Sequence, residues 1–146
     1  MRVLIIVASA LILTIGLTAC SSSTQLKSSD EKLSITVPKD WKESDEDDAL
    51  ISAEKGDRGA LVFDVSFMLE ELDSARKEAE ENDSLVFDGK IDGHEAVIAS
   101  EENDQALVGL VKVGDTVYMV AVGSDNKDDF DKKEAEKIIK SFKAKK

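Results

Sequence analysis

Ala106-Leu107-Val108-Gly109-Leu110-Val111-Lys112-Val113, then Gly114-Asp115, then Thr116-Val117-Tyr118-Met119-Val120-Ala121-Val122, reads as two strands about a two-residue turn. Glycine opening such a turn is a hairpin signal. Leu107, Val108, Leu110, Val111, Val113, Val117, Met119, Val120 and Val122 are apolar on both parities. A strand with one wet face alternates, so these two strands belong at the centre of the sheet. Tyr118 interrupts the run with a hydroxyl that needs a partner or solvent.

Working upstream, Asp92-Gly93 joins Leu85–Ile91 to Glu95–Ser100 as a second hairpin. Before it, Leu69 to Asn82 changes period, with Leu69, Leu72, Ala75 and Ala79 on one helical face. Asp73 and Lys77 stand in the favourable i,i+4 order, while Glu78, Glu80 and Glu81 oppose the helix dipole and predict fraying near Asn82. Ala49–Glu54 and Ala60–Met68 form a further hairpin about Lys55-Gly56-Asp57-Arg58-Gly59. Leu61, Phe63, Val65 and Phe67 share a parity, and that face is expected inward.

Leu33, Ile35 and Val37 alternate with polar residues up to Pro38, a half-buried strand with which the domain is expected to begin, and Trp41 just beyond is expected to pack on the core. At the other end Asp128 to Lys143 is an amphipathic helix with Ala135, Ile138, Ile139 and Phe142 on its stripe and Phe130 near its start. Ser124, Asp125 or Asn126 can cap it. Acids at its N-terminus and lysines toward its C-terminus match the macrodipole.

The N-terminus carries a different kind of message. Arg2 precedes an apolar stretch from Val3 to Leu17, which ends in Leu17-Thr18-Ala19-Cys20. This is the layout of an export signal, and the last four residues resemble the lipobox of bacterial lipoproteins. The resemblance implies removal of residues 1–19 and acylation of Cys20, with diacylglycerol and palmitate-type chains. Two or three chains at roughly 0.8 kcal/mol per buried methylene make a lasting anchor.

Removal of 19 of the 146 residues leaves 127, enough for one domain and one core. Cys20 is the sole cysteine, so no disulfide can support that core. Ser21 to Asp30 is polar and reads as a flexible tether spanning roughly 15–20 Å. The expected organisation is a signal peptide over 1–19, lipidated cysteine and tether over 20–32, and a globular domain over 33–146.

Without Arg2, 18 Lys and Arg face 31 Asp and Glu, a formal charge of −13. Such a body is repelled by nucleic acid phosphates and anionic headgroups, so no nucleic acid partner is expected and the lipid alone holds the membrane. A protein partner of basic character suits the charge.

Leu33 to Trp41 (Leu-Ser-Ile-Thr-Val-Pro-Lys-Asp-Trp), Ile91-Asp92-Gly93-His94-Glu95-Ala96 and Ile138-Ile139-Lys140-Ser141-Phe142 together resemble the PsbP-like domains over about Leu33 to Phe142. The resemblance implies an α+β fold, an α-β-α sandwich whose central antiparallel sheet is flanked by helices. It also implies a non-enzymatic accessory or assembly role at membrane complexes.

Chemistry-bearing motifs are few. His94 is the only imidazole and lies beside a turn, so neither a triad nor a histidine metal site has converging partners in sequence. Gly56-Asp57-Arg58-Gly59 lacks the spacing and the Lys-Ser/Thr ending of a phosphate loop. Ser44-Asp45-Glu46-Asp47-Asp48 and Asp125 to Asp131 offer oxygen ligands for calcium, but the second lacks the glycine and closing glutamate of an EF-hand. With little aromatic surface for a sugar cleft, a carboxylate pair for glycoside hydrolysis is not expected. No catalytic residue, metal or cofactor is assigned.

The sequence therefore predicts a non-catalytic protein-interaction or assembly module, anchored at Cys20 to the extracytoplasmic face of the cell membrane, or to an outer membrane in a two-membrane bacterium. The alternative is a lipoprotein binding a small ligand or calcium near Trp41 or the acidic loop.

Overall fold

The computed structural model describes residues 23–101 and 103–145. The apolar segment, the Leu17–Cys20 motif and the anchor expected at Cys20 lie outside the described residues. Strands β1 (Ser23–Lys27), β2 (Leu33–Pro38), β3 (Lys42–Glu43), β4 (Ile51–Lys55) and β5 (Arg58–Asp64) precede helix α1 (Asp73–Glu81). Strands β6 (Leu85–Ile91), β7 (His94–Ser100), β8 (Ala106–Val113) and β9 (Thr116–Ser124) lead to helix α2 (Lys132–Lys140) and a short β10 (Lys143–Ala144). Among the described residues no helix is long and apolar enough to cross a membrane.

Seven strands form one sheet in the order β3-β4-β5-β9-β8-β7-β6, and β1-β2-β10 form a smaller one. All pairings are antiparallel. The hairpin expected at Gly114-Asp115 places β9 at the centre with β8 beside it, as their two-sided apolarity requires. At Asp92-Gly93 both residues take positive φ, 52° and 78°, and Ile91 faces His94 across a tight turn. Adjacent positive φ values define the turn whose twist matches that of the strands.

Alternate residues of the large sheet feed two clusters. The larger contains Ala60, Val62, Ala96, Ile98, Leu107, Val111 and Val120, joined by Ile138, Ile139 and Phe142 around α2 and by Ile35, Val37 and Trp41 from the small sheet and its following turn. The smaller gathers Val65, Leu72, Val97 and Val117, with Phe63, Leu110 and Met119 packed against them. Helix α2 packs on β8, β9 and β2, whereas α1 packs chiefly on β6 and β7.

Several expectations are corrected. Ser23–Lys27, expected in a flexible tether, is a strand paired with β2 from Ser23 opposite Pro38 to Lys27 opposite Ser34. Pairing satisfies the outer edge of β2, and Leu26 is buried. Residues 28–32 then turn tightly, because Ser28 and Leu33 exchange hydrogen bonds while Asp30 accepts from Ser28 Oγ and Lys32 N–H. The folded domain thus begins by Ser23 rather than at Leu33, leaving Ser21 and Ser22 between Cys20 and β1.

Strand β5 ends at Asp64, not Met68. The parity expected inward is the less buried one: Leu61 and Phe63 are half-buried while Ala60 and Val62 are fully covered, and Phe67 is 84% exposed. Helix α1 starts at Asp73 rather than Leu69. Asp73 bonds Arg76 rather than Lys77, which meets Glu81 at 3.9 Å. The helix expected over Asp128–Lys143 divides into a 3-10 turn (Lys127–Asp129) capped by Asn126 and helix α2 capped by Asp131, whose carboxylate accepts from Glu134 N–H. Extended Phe130 separates the two.

Candidate functional site

Gly59, Leu61, Ala106, Val108, Ala121 and Gly123 share one face of β5, β9 and β8. Register places Gly123 between Gly59 and Ala106, and Ala121 between Leu61 and Val108. Strand alternation turns these residues away from the larger cluster. Helix α1 is seated over β6 and β7, so among the described residues no helix packs closely on this stretch of sheet. Small residues lower its floor, and the result is an open trough of about 630 Å³.

Its rim is acidic. Glu46, Glu54, Asp57, Glu101 and Asp125 all line it. Arg58 also reaches the trough, but its guanidinium is bound to Glu134 of α2 at 3.1 Å. The trough is therefore apolar below and negative at its edges, a combination that attracts cations carrying apolar surface. A second hollow of about 860 Å³ adjoins it, sharing Glu101 and running past Val108 to Ala79 on α1.

The residues singled out in sequence are dispersed. His94 is half-buried at the β6–β7 turn, and its neighbour Glu95 bonds Arg76 at 2.8 Å. Trp41 is buried in the larger cluster, with an indole N–H that finds no acceptor among the described residues. Of the first acidic segment, Ser44 and Glu46 reach the trough; of the second, Asp125 does so. Asn126 and Asp131 spend their oxygens on backbone caps. Among the described residues no group of three or more His, Cys, Asp or Glu is placed to hold a metal ion.

None of the groups with a resolved electrostatic shift lines the trough. Arg76 bonds Asp73 within α1 and ties the helix to the sheet through Asp88 and Glu95, and these last two carboxylates hold its guanidinium even more firmly protonated than usual. Glu71 raises the Lys112 ammonium from its ordinary value. Burial, with the Asp64 and Asp30 carboxylates, pushes the Tyr118 phenol upward. Its ring lies 5.7 Å from that of Phe142. These are contacts that hold elements together, not a set converging on a reacting atom.

Comparison with solved structures fits this architecture. The solution structure of cyanobacterial PsbP (CyanoP) from Synechocystis superposes with a TM-score of 0.52 at 11% identity, covering 90% of this chain and 99% of that one. The fold is PsbP-like. A crystal structure from Bacteroides thetaiotaomicron gives a TM-score of 0.55 at 20% identity over 86% of this chain. The chain spans about half the length of that protein, 49%. No protein-family model and no curated protein matches the sequence. Identities this low bear on the PsbP-like fold and not on activity.

Neither the trough nor the Arg76 hub was visible in sequence. The floor residues lie on three strands whose lateral order depends on pairing between distant segments. The period-2 pattern did place Leu61 and Phe63 on one parity, and Val108, Leu110 and Met119 belong to the same face.

Proposed function

We propose that this chain is a membrane-tethered, non-catalytic docking module, anchored through lipid on Cys20 at the extracytoplasmic face of the cell membrane or an outer membrane. The acid-rimmed trough carries the proposal. A basic, partly apolar segment of a protein partner suits its floor and rim. We read the two core clusters as the two sides of a helix–sheet–helix sandwich left open over β5, β9 and β8.

With Ser23 already in β1, a lipid on Cys20 would keep the domain within a few residues of the bilayer. Confinement of this kind raises the effective concentration for partners in the same membrane and relaxes the affinity that docking must supply. The acidic rim would weaken such contacts with salt. No nucleophile, base or metal cluster is invoked.

A second reading rests on the size of the trough, which lies within the 300–1,000 Å³ typical of small-molecule sites. A small cationic ligand would raise the melting temperature, because it binds only the folded state. Calcium has less support, since no carboxylate cluster of the needed kind occurs among the described residues.

The deciding experiment is co-purification of the lipidated protein from cells at low and high salt, comparing the natural chain with Glu54→Lys/Glu101→Lys. A membrane protein recovered with the natural chain at low salt and lost in the other conditions supports docking. Recovery of the protein alone throughout, with a melting shift on small cations, supports the ligand reading.

A further inference from the structure

Phe67 and Met68 are 84% and 74% exposed, and Leu50, the other large apolar residue left open among the described residues, lies at the same end of the sheet, its N–H bonded to Val62 O. Water is an unfavourable setting for two adjacent large apolar side chains. They are not on a loose loop. Val65 and Leu72 are buried on either side, and Val65 N–H bonds Val117 O at 2.9 Å. Ser66 Oγ accepts Val117 N–H, Asp64 accepts Ser66 N–H, and the N–H groups of Met68 and Leu69 both bond Val65 O. The fold holds the two side chains outward in one pinned turn.

We infer that the Phe67–Met68 tip is a second docking surface, distinct from the trough, and that it inserts into an apolar pocket rimmed by Lys or Arg on a protein partner. Charge argues for that occupant. Asp64 and Glu70 flank the tip, and Glu71 is spent on Lys112 at 2.6 Å. A negative collar attracts a basic rim and is repelled by anionic headgroups.

Position argues the same way. The described chain starts at Ser23, opposite Pro38. Trp41 N–H bonds Pro38 O, Asp40 pairs with Lys55 and Lys42 faces Glu54, so this corner lies at the β4–β5 turn end of the large sheet. The tip follows Asp64 at the opposite end, beside the start of β9. A chain tethered through its N-terminus would hold the tip away from the bilayer and toward whatever protein stands over it. The negative collar selects a basic rim with or without that tether.

The test places a photoreactive benzoyl-phenylalanine at position 67 of the full chain in its native cells, with position 77 on the exposed side of α1 as control. The expected result is one protein adduct at 67 and none at 77, joined to an apolar peptide flanked by Lys or Arg. Its yield should fall roughly tenfold when Met68→Ser or Glu70→Lys is added. Both positions are exposed, so urea midpoints should stay unchanged and separate lost docking from lost folding. Adducts to phospholipid alone, adducts undiminished by both changes, or no adduct at position 67 would each overturn the inference.

Discussion

Gly109 lies directly beneath Ile139, so that a Cβ at residue 109 would collide with the Ile139 side chain. Helix α2 reaches β8 through this gap. Ile139 is fully buried and β-branched, and has little freedom to move aside. Gly109→Ala should therefore destabilise the domain by about 1–3 kcal/mol through overpacking. Urea unfolding checks this; an unchanged midpoint would mean that the helix can shift without cost.

Gly59 offers the opposite case. A Cβ there meets only Ala53 O at 3.8 Å, an ordinary contact. Gly59→Val should keep or raise stability, by up to about 1 kcal/mol, since valine suits a strand better than glycine. The same side chain would fill the trough floor. Partner recovery should drop while the melting temperature holds, a separation that a merely structural glycine would not give.

Trp41 is buried, and among the described residues its indole N–H has no acceptor. Trp41→Ala should cost about 3–5 kcal/mol, whereas Trp41→Phe should cost no more than about 2 kcal/mol because no hydrogen bond is lost. Equal losses in the two variants, measured by denaturant unfolding, would reveal a bonded indole.

The pH dependence has two limbs. Ser66 holds the Asp64 carboxyl below its ordinary value, Ser28 does so for Asp30, and Lys55 for Asp40. Their contribution is present above the unfolded value of 3.8 and is lost as pH falls through the lower folded values. Asp64→Asn should flatten the acid limb below about pH 4. Tyr118 is shifted upward by burial, so its contribution is lost as pH climbs above about 10, and Tyr118→Phe should remove that loss. Unfolding midpoints across pH check each limb.

Cys20→Ser should release the domain from the membrane fraction, since one residue would carry the whole anchor. Retention of that variant by washed membranes would refute lipid tethering.

Sequence was most informative where the deciding chemistry is local. Asp92-Gly93 and Gly114-Asp115 marked their hairpins because turn geometry is set by the residues in the turn. Two-sided apolarity likewise put β8 and β9 at the sheet centre. Ser23–Lys27 was illegible as a strand because polar residues pair there only when the edge of β2 is available. Phe67 misled because alternation continues past Asp64, where the Ser66 N–H bond to its carboxylate turns the chain. The trough needed the lateral order β5-β9-β8, although two of its rim residues, Glu46 and Asp125, stood in acidic segments noticeable in sequence.

Zero-length carbodiimide coupling in intact cells tests docking at the trough most directly, because it joins a carboxylate only to an amine in contact with it. Coupled peptides should link Glu54, Glu101 or Asp125 to lysines of one membrane-associated protein, and should vanish at high salt and in Glu54→Lys/Glu101→Lys. Coupling confined to carboxylates elsewhere on the domain, or undiminished by salt and by charge reversal, would contradict a docking role for this face.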